Sequence, residues 1–69
     1  MGWMYKIHLY GRYFDSEHHQ RFVDKTPFEV PAFDLRDKEC IRRLVRSRHV
    51  DAYDCDDVQV FFYGQRYVE

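Results

Sequence analysis

The side chains that could do chemistry in this sequence are concentrated in two neighbouring segments of opposite charge. In the first, four carboxylates fall within seven residues and an aromatic residue lies among them; these are Asp51, Asp54, Asp56, Asp57 and Tyr53. A calcium loop of the EF-hand type needs a glycine at its sixth position and a glutamate at its twelfth, and this segment has neither in register. The segment therefore predicts an anionic surface that binds a basic partner, with a solvated loop as the alternative.

The second segment is basic and directly precedes the first. Residues 34–50 contain six Lys and Arg against three Asp and Glu. An α-helix would place four arginines on one face; they are Arg36, Arg42, Arg43 and Arg46. Guanidinium groups suit bidentate contacts with phosphate, so the alternative function is a small nucleic-acid-binding domain. The net charge of -1 argues against it, because such domains usually have an isoelectric point above about 9.

Cysteines and histidines supply no credible metal site or nucleophile. Cys40, His49 and Cys55 are spaced by nine and six residues, whereas zinc ligands usually come in pairs two to five apart. Nothing marks the chain as secreted, so we expect free thiols rather than a disulfide. The sequence also lacks a phosphate loop and a nucleophile–base pair. It therefore predicts a protein that is not an enzyme and that binds no metal or other cofactor.

Length and composition bound the remaining possibilities. The 69 residues have room for one domain, residues 1–69, and 45% of them are hydrophobic, which is not the composition of a disordered tail. No apolar run approaches the ~20 residues of a membrane span, and no signal peptide is visible, so we expect a cytoplasmic protein without a membrane partner. A domain this small has little interior for an enclosed active site, which favours a function at the surface.

Two period-2 segments precede the predicted helix. Residues 3–14 read as a first strand and residues 21–32 as a second, with a polar break at 15–20, which together predict a long antiparallel hairpin. Pro27 and Pro31 cannot donate hydrogen bonds, so the second strand should lie at a sheet edge.

The second half of the chain predicts a helix and further strands. Residues 34–48 read as the helix, with Asp34 as N-cap and a core-facing stripe of Cys40, Ile41, Leu44 and Val45. Residues 50–57 read as a loop, residues 58–63 as a third strand, and residues 66–68 as a short fourth strand after a turn at Gly64-Gln65. The predicted class is α+β, with an antiparallel sheet of three to four strands, one helix on one face, the element order β-β-α-β-β and the sheet order 2-1-3-4.

Aromatic residues should also lie on the sheet face that the helix leaves bare. If the helix covers the odd-numbered side chains of the first strand, the bare face receives Met4, His8, Tyr10 and Phe14, joined by Phe61 or Tyr63. Such side chains are enriched in protein interfaces and can also stack single-stranded bases. The alternative is that they cover one another across strands.

The layout resembles that of small sheet-plus-helix proteins encoded by phages and mobile elements, with the segment Phe28–Asp34 leading directly into the helix. Some anti-CRISPR inhibitors are built in this way, and the resemblance implies binding to a large ribonucleoprotein or nuclease. We therefore expect a non-enzymatic binding module that occupies a site on a protein or ribonucleoprotein partner. Its specific form would be an inhibitor of a host nuclease or of a CRISPR complex. A monomer or a weak homodimer that pairs through the bare sheet face is expected.

Overall fold

The computed structural model describes residues 1–69 and contains two antiparallel sheets of three strands each and one helix. The elements are β1 (Gly2–Tyr10), β2 (Arg12–Asp15), β3 (Gln20–Phe22), β4 (Phe28–Pro31), α1 (Lys38–Arg48), β5 (Ala52–Asp54) and β6 (Gln59–Val68). The first sheet has the order β4-β1-β6 and the second the order β3-β2-β5. The predicted α+β class is confirmed, but the single sheet with the order 2-1-3-4 is not.

The predicted long hairpin is present, but it is bent between the two sheets. Gly11 interrupts the first predicted strand with a φ of 113°, and a Cβ at this position would lie 2.5 Å from the carbonyl oxygen of Asp57. Only glycine combines this backbone angle with so close an approach. The second predicted strand is interrupted at residues 23–27, so that β1 pairs with β4 and β2 pairs with β3.

Asp15 explains the turn of the hairpin, and Pro31 explains why its last strand, β4, lies at an edge. Asp15 is buried at the end of β2, and its Oδ1 accepts 2.9 Å hydrogen bonds from the backbone amides of Glu17 and His19, which closes the predicted polar break. β4 lies at the edge of the first sheet, as predicted, and ends at Pro31. A proline there blocks further pairing without breaking the contact with β1.

The helix begins later than predicted. Asp37, not Asp34, is its N-cap, because the Asp37 side chain accepts a 3.0 Å hydrogen bond from the amide of Glu39. Asp34 instead closes the preceding turn, where its carbonyl accepts from the Asp37 amide at 2.9 Å. The helix ends at Arg48, as predicted.

The core is formed where the helix packs over both sheets. It contains Leu9, Tyr13, Val23, Ile41, Val45, Ala52, Cys55 and Val58. The predicted helical stripe is partly confirmed, because Ile41 and Val45 are buried, whereas Cys40 and Leu44 are half-buried along a groove beside β4. The predicted loop 50–57 contains the short strand β5, which pairs with β2.

The predicted hairpin at residues 58–68 is wrong. β6 is one strand of 10 residues that pairs with β1 from Gln59 to Val68. The register shifts where Lys6 pairs with Gly64 and Ile7 with Phe62, which leaves Tyr63 as the extra residue of a bulge. Gly64 thus follows a bulge and forms no turn, because the nine residues of β1 offer a partner along the whole strand.

Candidate binding surface

The side of the first sheet that faces away from the core carries a group of aromatic side chains. Ile7 and Leu9 of β1 point into the protein and have no exposed surface. Strand alternation therefore turns His8 and Tyr10 to the opposite side. There His8 lies opposite Phe61 of β6. We call the surface formed by His8, Tyr10, Phe61 and Tyr63 the outer face.

The rings of the outer face contact one another and still remain accessible. The centroid of His8 lies 5.2 Å from that of Phe61 and 5.4 Å from that of Tyr63, and the two β6 rings are 5.1 Å apart. Mutual packing fixes their positions, yet Phe61 and Tyr63 each keep 51% of their surface exposed. Large, rigid and half-exposed rings are the kind of surface that binds a partner at low cost in side-chain entropy.

Local hydrogen bonds hold the two β1 side chains of the outer face. The Nδ1 of His8 donates to the carbonyl oxygen of Leu9 at 3.0 Å, which leaves Nε2 without a hydrogen-bond partner in the chain. The hydroxyl of Tyr10 donates to the Oε1 of Gln59 at 2.7 Å, across the β1–β6 pair. These bonds orient the rings before any partner arrives.

The charges beside the outer face nearly cancel. Arg66 of β6 binds Glu29 of β4 through two hydrogen bonds of 2.6 and 2.9 Å that cross over β1. The guanidinium lowers the pKa of the Glu29 carboxyl, and the carboxylate raises the pKa of Arg66. Exposed Lys6 is the one charged residue of β1. The surface around the aromatic group is therefore not strongly basic.

A second group of aromatic residues lies on the inner side of the first sheet, beyond the helix. β1 is roughly 30 Å long, whereas the 11-residue helix covers only about 16 Å. Trp3 and Tyr67 pack edge to face at 5.4 Å in the part left uncovered, and they are 49% and 54% exposed. Trp3 is one of the odd-numbered side chains of the first predicted strand that the helix was expected to cover, and it is exposed because the helix does not reach it.

The acidic segment, residues 51–57, is bound to the rest of the chain at several points. Asp51 accepts hydrogen bonds from the hydroxyl of buried Tyr13 at 3.0 and 3.3 Å. Burial of the Tyr13 ring and the hydrogen bond to Asp51 raise the pKa of Tyr13. Tyr53 is 64% exposed, and its carbonyl oxygen accepts a hydrogen bond from Arg46 at 3.1 Å. Asp51 thus provides the hydrogen-bond acceptor for the hydroxyl of a core tyrosine.

The remaining acids of this segment also have partners within the chain. Asp56 accepts a 2.7 Å hydrogen bond from Arg42, and Asp57 forms a 3.3 Å ion pair with Arg12. The Arg42 guanidinium lowers the pKa of the Asp56 carboxyl. Asp54 accepts from the amide of Asp56 at 3.1 Å and has the least engaged carboxylate of the four. The four carboxylates therefore do not form one free anionic patch.

The four arginines of the predicted nucleic-acid surface differ in their engagement. Arg42 is bound by Glu39 at 2.5 Å and by Asp56 at 2.7 Å, and these two carboxylates raise its pKa. Arg46 donates to a backbone carbonyl. Arg43 and Arg36 remain, and the side chain of Arg36 is 95% exposed, 3.9 Å from Asp34. All four precede or lie on the helix, which covers the inner side of the first sheet, so they do not join the outer face.

The two thiols are not placed for nucleophilic chemistry. Both are free; Cys55 is buried, and burial raises its pKa. The thiol of Cys40 donates to Asp37 at 3.4 Å, and this contact raises the pKa of Cys40. A raised pKa disfavours the reactive thiolate. No three His, Cys, Asp or Glu side chains are grouped to hold a metal ion, and the one helix is neither long nor apolar enough to cross a membrane.

The comparisons with known proteins give no match: no family model, no curated protein and no solved structure is similar to this chain. Alternation in the first predicted strand correctly placed His8 and Tyr10 on the bare face, and both Phe61 and Tyr63, of which the sequence predicted one or the other, lie beside His8. Phe14, expected in the same patch, lies in the second sheet beyond Gly11, where Arg12 is 5.8 Å from its ring.

Proposed function

We propose that this protein is a non-enzymatic binding module that docks on a larger protein or ribonucleoprotein through the outer face. The observation that carries the proposal is the half-exposed aromatic group of Phe61 and Tyr63, held against His8 on the side of the sheet away from the core. Monomeric proteins seldom leave such groups uncovered without a binding role. Inhibition of a nuclease or of a CRISPR ribonucleoprotein is one specific form of this function and stays a prediction.

The composition of the outer face favours a protein surface as its target. Tyrosine and phenylalanine are enriched at protein interfaces, and the neighbouring charges are largely neutralised by the Glu29–Arg66 pair. A nucleic-acid surface would need unpaired cations close to the rings, because phosphate contacts supply most of the affinity. Here Lys6 is the one cation on the same side of β1 without an ion pair, and the arginines of the helical region are on the other side of the sheet.

The acidic segment is the second surface proposed for such a partner, but three of its four carboxylates are already bound within the chain. Asp51, Asp56 and Asp57 already bind side chains of the same protein. Exposed Tyr53 and the carboxylate of Asp54 remain available. We therefore place the main contact on the outer face, propose Tyr53 and Asp54 as a smaller second contact, and give the other three acids a structural role.

Nucleic-acid binding is the alternative, and exposed Arg36 and Arg43 are the observation that favours it. Binding through them should weaken steeply with salt, with a log–log slope of roughly 0.7 per phosphate neutralised on a single strand. Arg36 and Arg43 are the ones to change, because the only ion pair of Arg36 is a 3.9 Å contact with Asp34, whereas Arg42→Glu would also break the 2.7 Å contact with Asp56.

Matched pairs of variants test the proposal. The tagged chain captures partners from lysate of its source cells, and the captured proteins are quantified by mass spectrometry. A protein that Phe61→Ser with Tyr63→Ser loses, and that the control pair Phe22→Ser with Tyr67→Ser retains, is then purified and its affinity is measured by calorimetry. The control removes two aromatic residues that lie off the outer face and are at least as exposed, at 71% and 54%.

The same preparations separate the two functions. We expect selective loss of one protein with the outer-face pair and no effect of Arg36→Glu with Arg43→Glu. Tight, salt-sensitive binding of single-stranded oligonucleotides that only the arginine pair abolishes would refute the proposal. Equal retention of every captured protein by the outer-face pair and the control pair would also contradict it.

A further inference from the structure

The outer edge of β6 is the one long open strand edge of the molecule. β6 has 10 residues and pairs only with β1. None of the nine backbone hydrogen bonds outside the regular elements involves β6, and no side chain bonds to its backbone. The amide and carbonyl groups on its free side thus have no partner in the chain, and they fit an extended strand.

The other strand edges are short or blunted. β4 has four residues and ends at Pro31, whereas β3 and β5 have three residues each. Natural proteins protect exposed edges with proline, lysine or short strands. β6 has neither proline nor lysine, and its one charged residue, Arg66, is neutralised by Glu29. The protection found on the other edges is therefore missing from β6.

The bulge at Tyr63 is the one protective feature of this edge, and it leaves regular strand on both sides. Gln59–Phe62 precedes the bulge and Gly64–Val68 follows it. β4 shows that four residues are enough for pairing in this sheet, because it pairs with β1 over that length. The bulge thus restricts the register of an added strand without removing the edge.

We propose that β6 pairs antiparallel with β6 of a second copy of this chain and forms a two-fold symmetric dimer. A two-fold axis uses both open edges at once, and the proline-ended β4 strands then lie at the two outer edges of a six-stranded sheet. Assembly therefore stops at the dimer instead of growing into a fibre. In the antiparallel orientation, Arg66 of one copy lies towards the start of β6 in the other copy, just after Asp56 and Asp57. The two Arg66 side chains therefore stay apart.

This inference does not rest on the proposed function, because edge pairing uses backbone groups and leaves the outer face uncovered. The dimer would place two copies of the outer face side by side on one continuous sheet. A partner with two-fold or repeated features would then gain from two simultaneous contacts.

Sedimentation equilibrium from micromolar to millimolar concentration tests the dimer. The unchanged chain should reach twice the monomer mass. Gln59→Lys with Gln65→Lys should weaken the dimer at least about tenfold, because lysines on a strand edge oppose pairing with another strand. Thr26→Lys with Ala32→Lys adds the same charge near the blunted β4 edge, also at exposed positions, and should leave the dimer intact.

Cysteine cross-linking supplies a second measurement that does not depend on charge. In a background with Cys40→Ser and Cys55→Ala, single cysteines at Gln59, Phe61, Tyr63 or Gln65 should form an intermolecular disulfide most readily at the residue nearest the two-fold axis. Ala32→Cys on the β4 side should form none. A monomer at millimolar concentration, or equal weakening by both lysine pairs, would overturn the inference, as would equal cross-linking at Ala32 and at the β6 positions.

Discussion

The acidic segment beside the second sheet and the outer face of the first sheet are both exposed, but only the acidic segment is bound by other side chains of the chain. Asp51, Asp56 and Asp57 lie at the surface, but each is held by a tyrosine or an arginine of the same chain. Phe61 and Tyr63 also lie at the surface, where their rings pack against each other and against His8 and neither makes an ion pair or a side-chain hydrogen bond. Local charge density is thus a poor guide to a free binding surface when its partners are distant in sequence.

The largest effect that separates core from surface should come from Leu9, the β1 neighbour of His8. Leu9 has no exposed surface, and Leu9→Ala should lower the free energy of unfolding by about 2–5 kcal/mol. Phe61→Ala, on the outer face, should change it much less. Urea titration of both variants measures the difference. Equal destabilisation would show that the outer face belongs to the folding core.

A smaller effect should distinguish structural from free acids. Tyr13→Phe removes the hydroxyl that donates to Asp51, and we expect a loss of about 1 kcal/mol. Tyr53→Phe is the control, because Tyr53 is exposed and its hydroxyl makes no hydrogen bond within the chain. Thermal unfolding of both variants measures the contrast. A larger loss from Tyr53→Phe would invert our view of the acidic segment.

Acid should destabilise the protein through carboxylates whose pKa is lowered in the folded state. Backbone hydrogen bonds, first from His19 and then from Glu17, lower the pKa of Asp15, and the Arg42 guanidinium does the same for Asp56. A lowered folded pKa means that the stabilisation is present above the ordinary carboxyl pKa of about 4 and is lost as the pH falls below it.

Melting temperatures measured from neutral to acidic pH test this dependence. Asp15→Asn should melt lower than the unchanged chain at neutral pH, and its melting temperature should fall less as the pH drops. The two curves should therefore converge in acid. Parallel curves would show that Asp15 does not contribute to the pH dependence.

The fold was predictable where a pattern was local. Alternation in residues 3–14 and 21–32 identified the hairpin, and prolines placed its second strand at an edge. Gly11 broke the first strand because its backbone lies against Asp57, a contact that the sequence does not reveal. Asp34 and Asp37 are both suitable caps, and local preference did not show which one begins the helix. Gly64-Gln65 resembled a turn, but pairing with β1 overrode that preference.

The binding surface was predictable to a similar degree. Alternation identified the outward side chains of β1, because that rule depends only on neighbouring residues. The partners of the acidic segment were not predictable, since Asp57 and Arg12 are 45 residues apart and Asp51 and Tyr13 are 38 apart. The exposure of Trp3 was also not predictable, because it depends on how far the helix extends along the first sheet.

We expect the outer face to bind a partner while contributing little to the stability of the fold. The direct measurement combines urea unfolding with partner affinity by calorimetry for Phe61→Ser with Tyr63→Ser. We expect a smaller loss of unfolding free energy than Leu9→Ala causes, about 1 kcal/mol for each of these half-exposed rings, together with loss of partner binding. Unchanged affinity for the partner, in a variant that remains folded, would contradict the account.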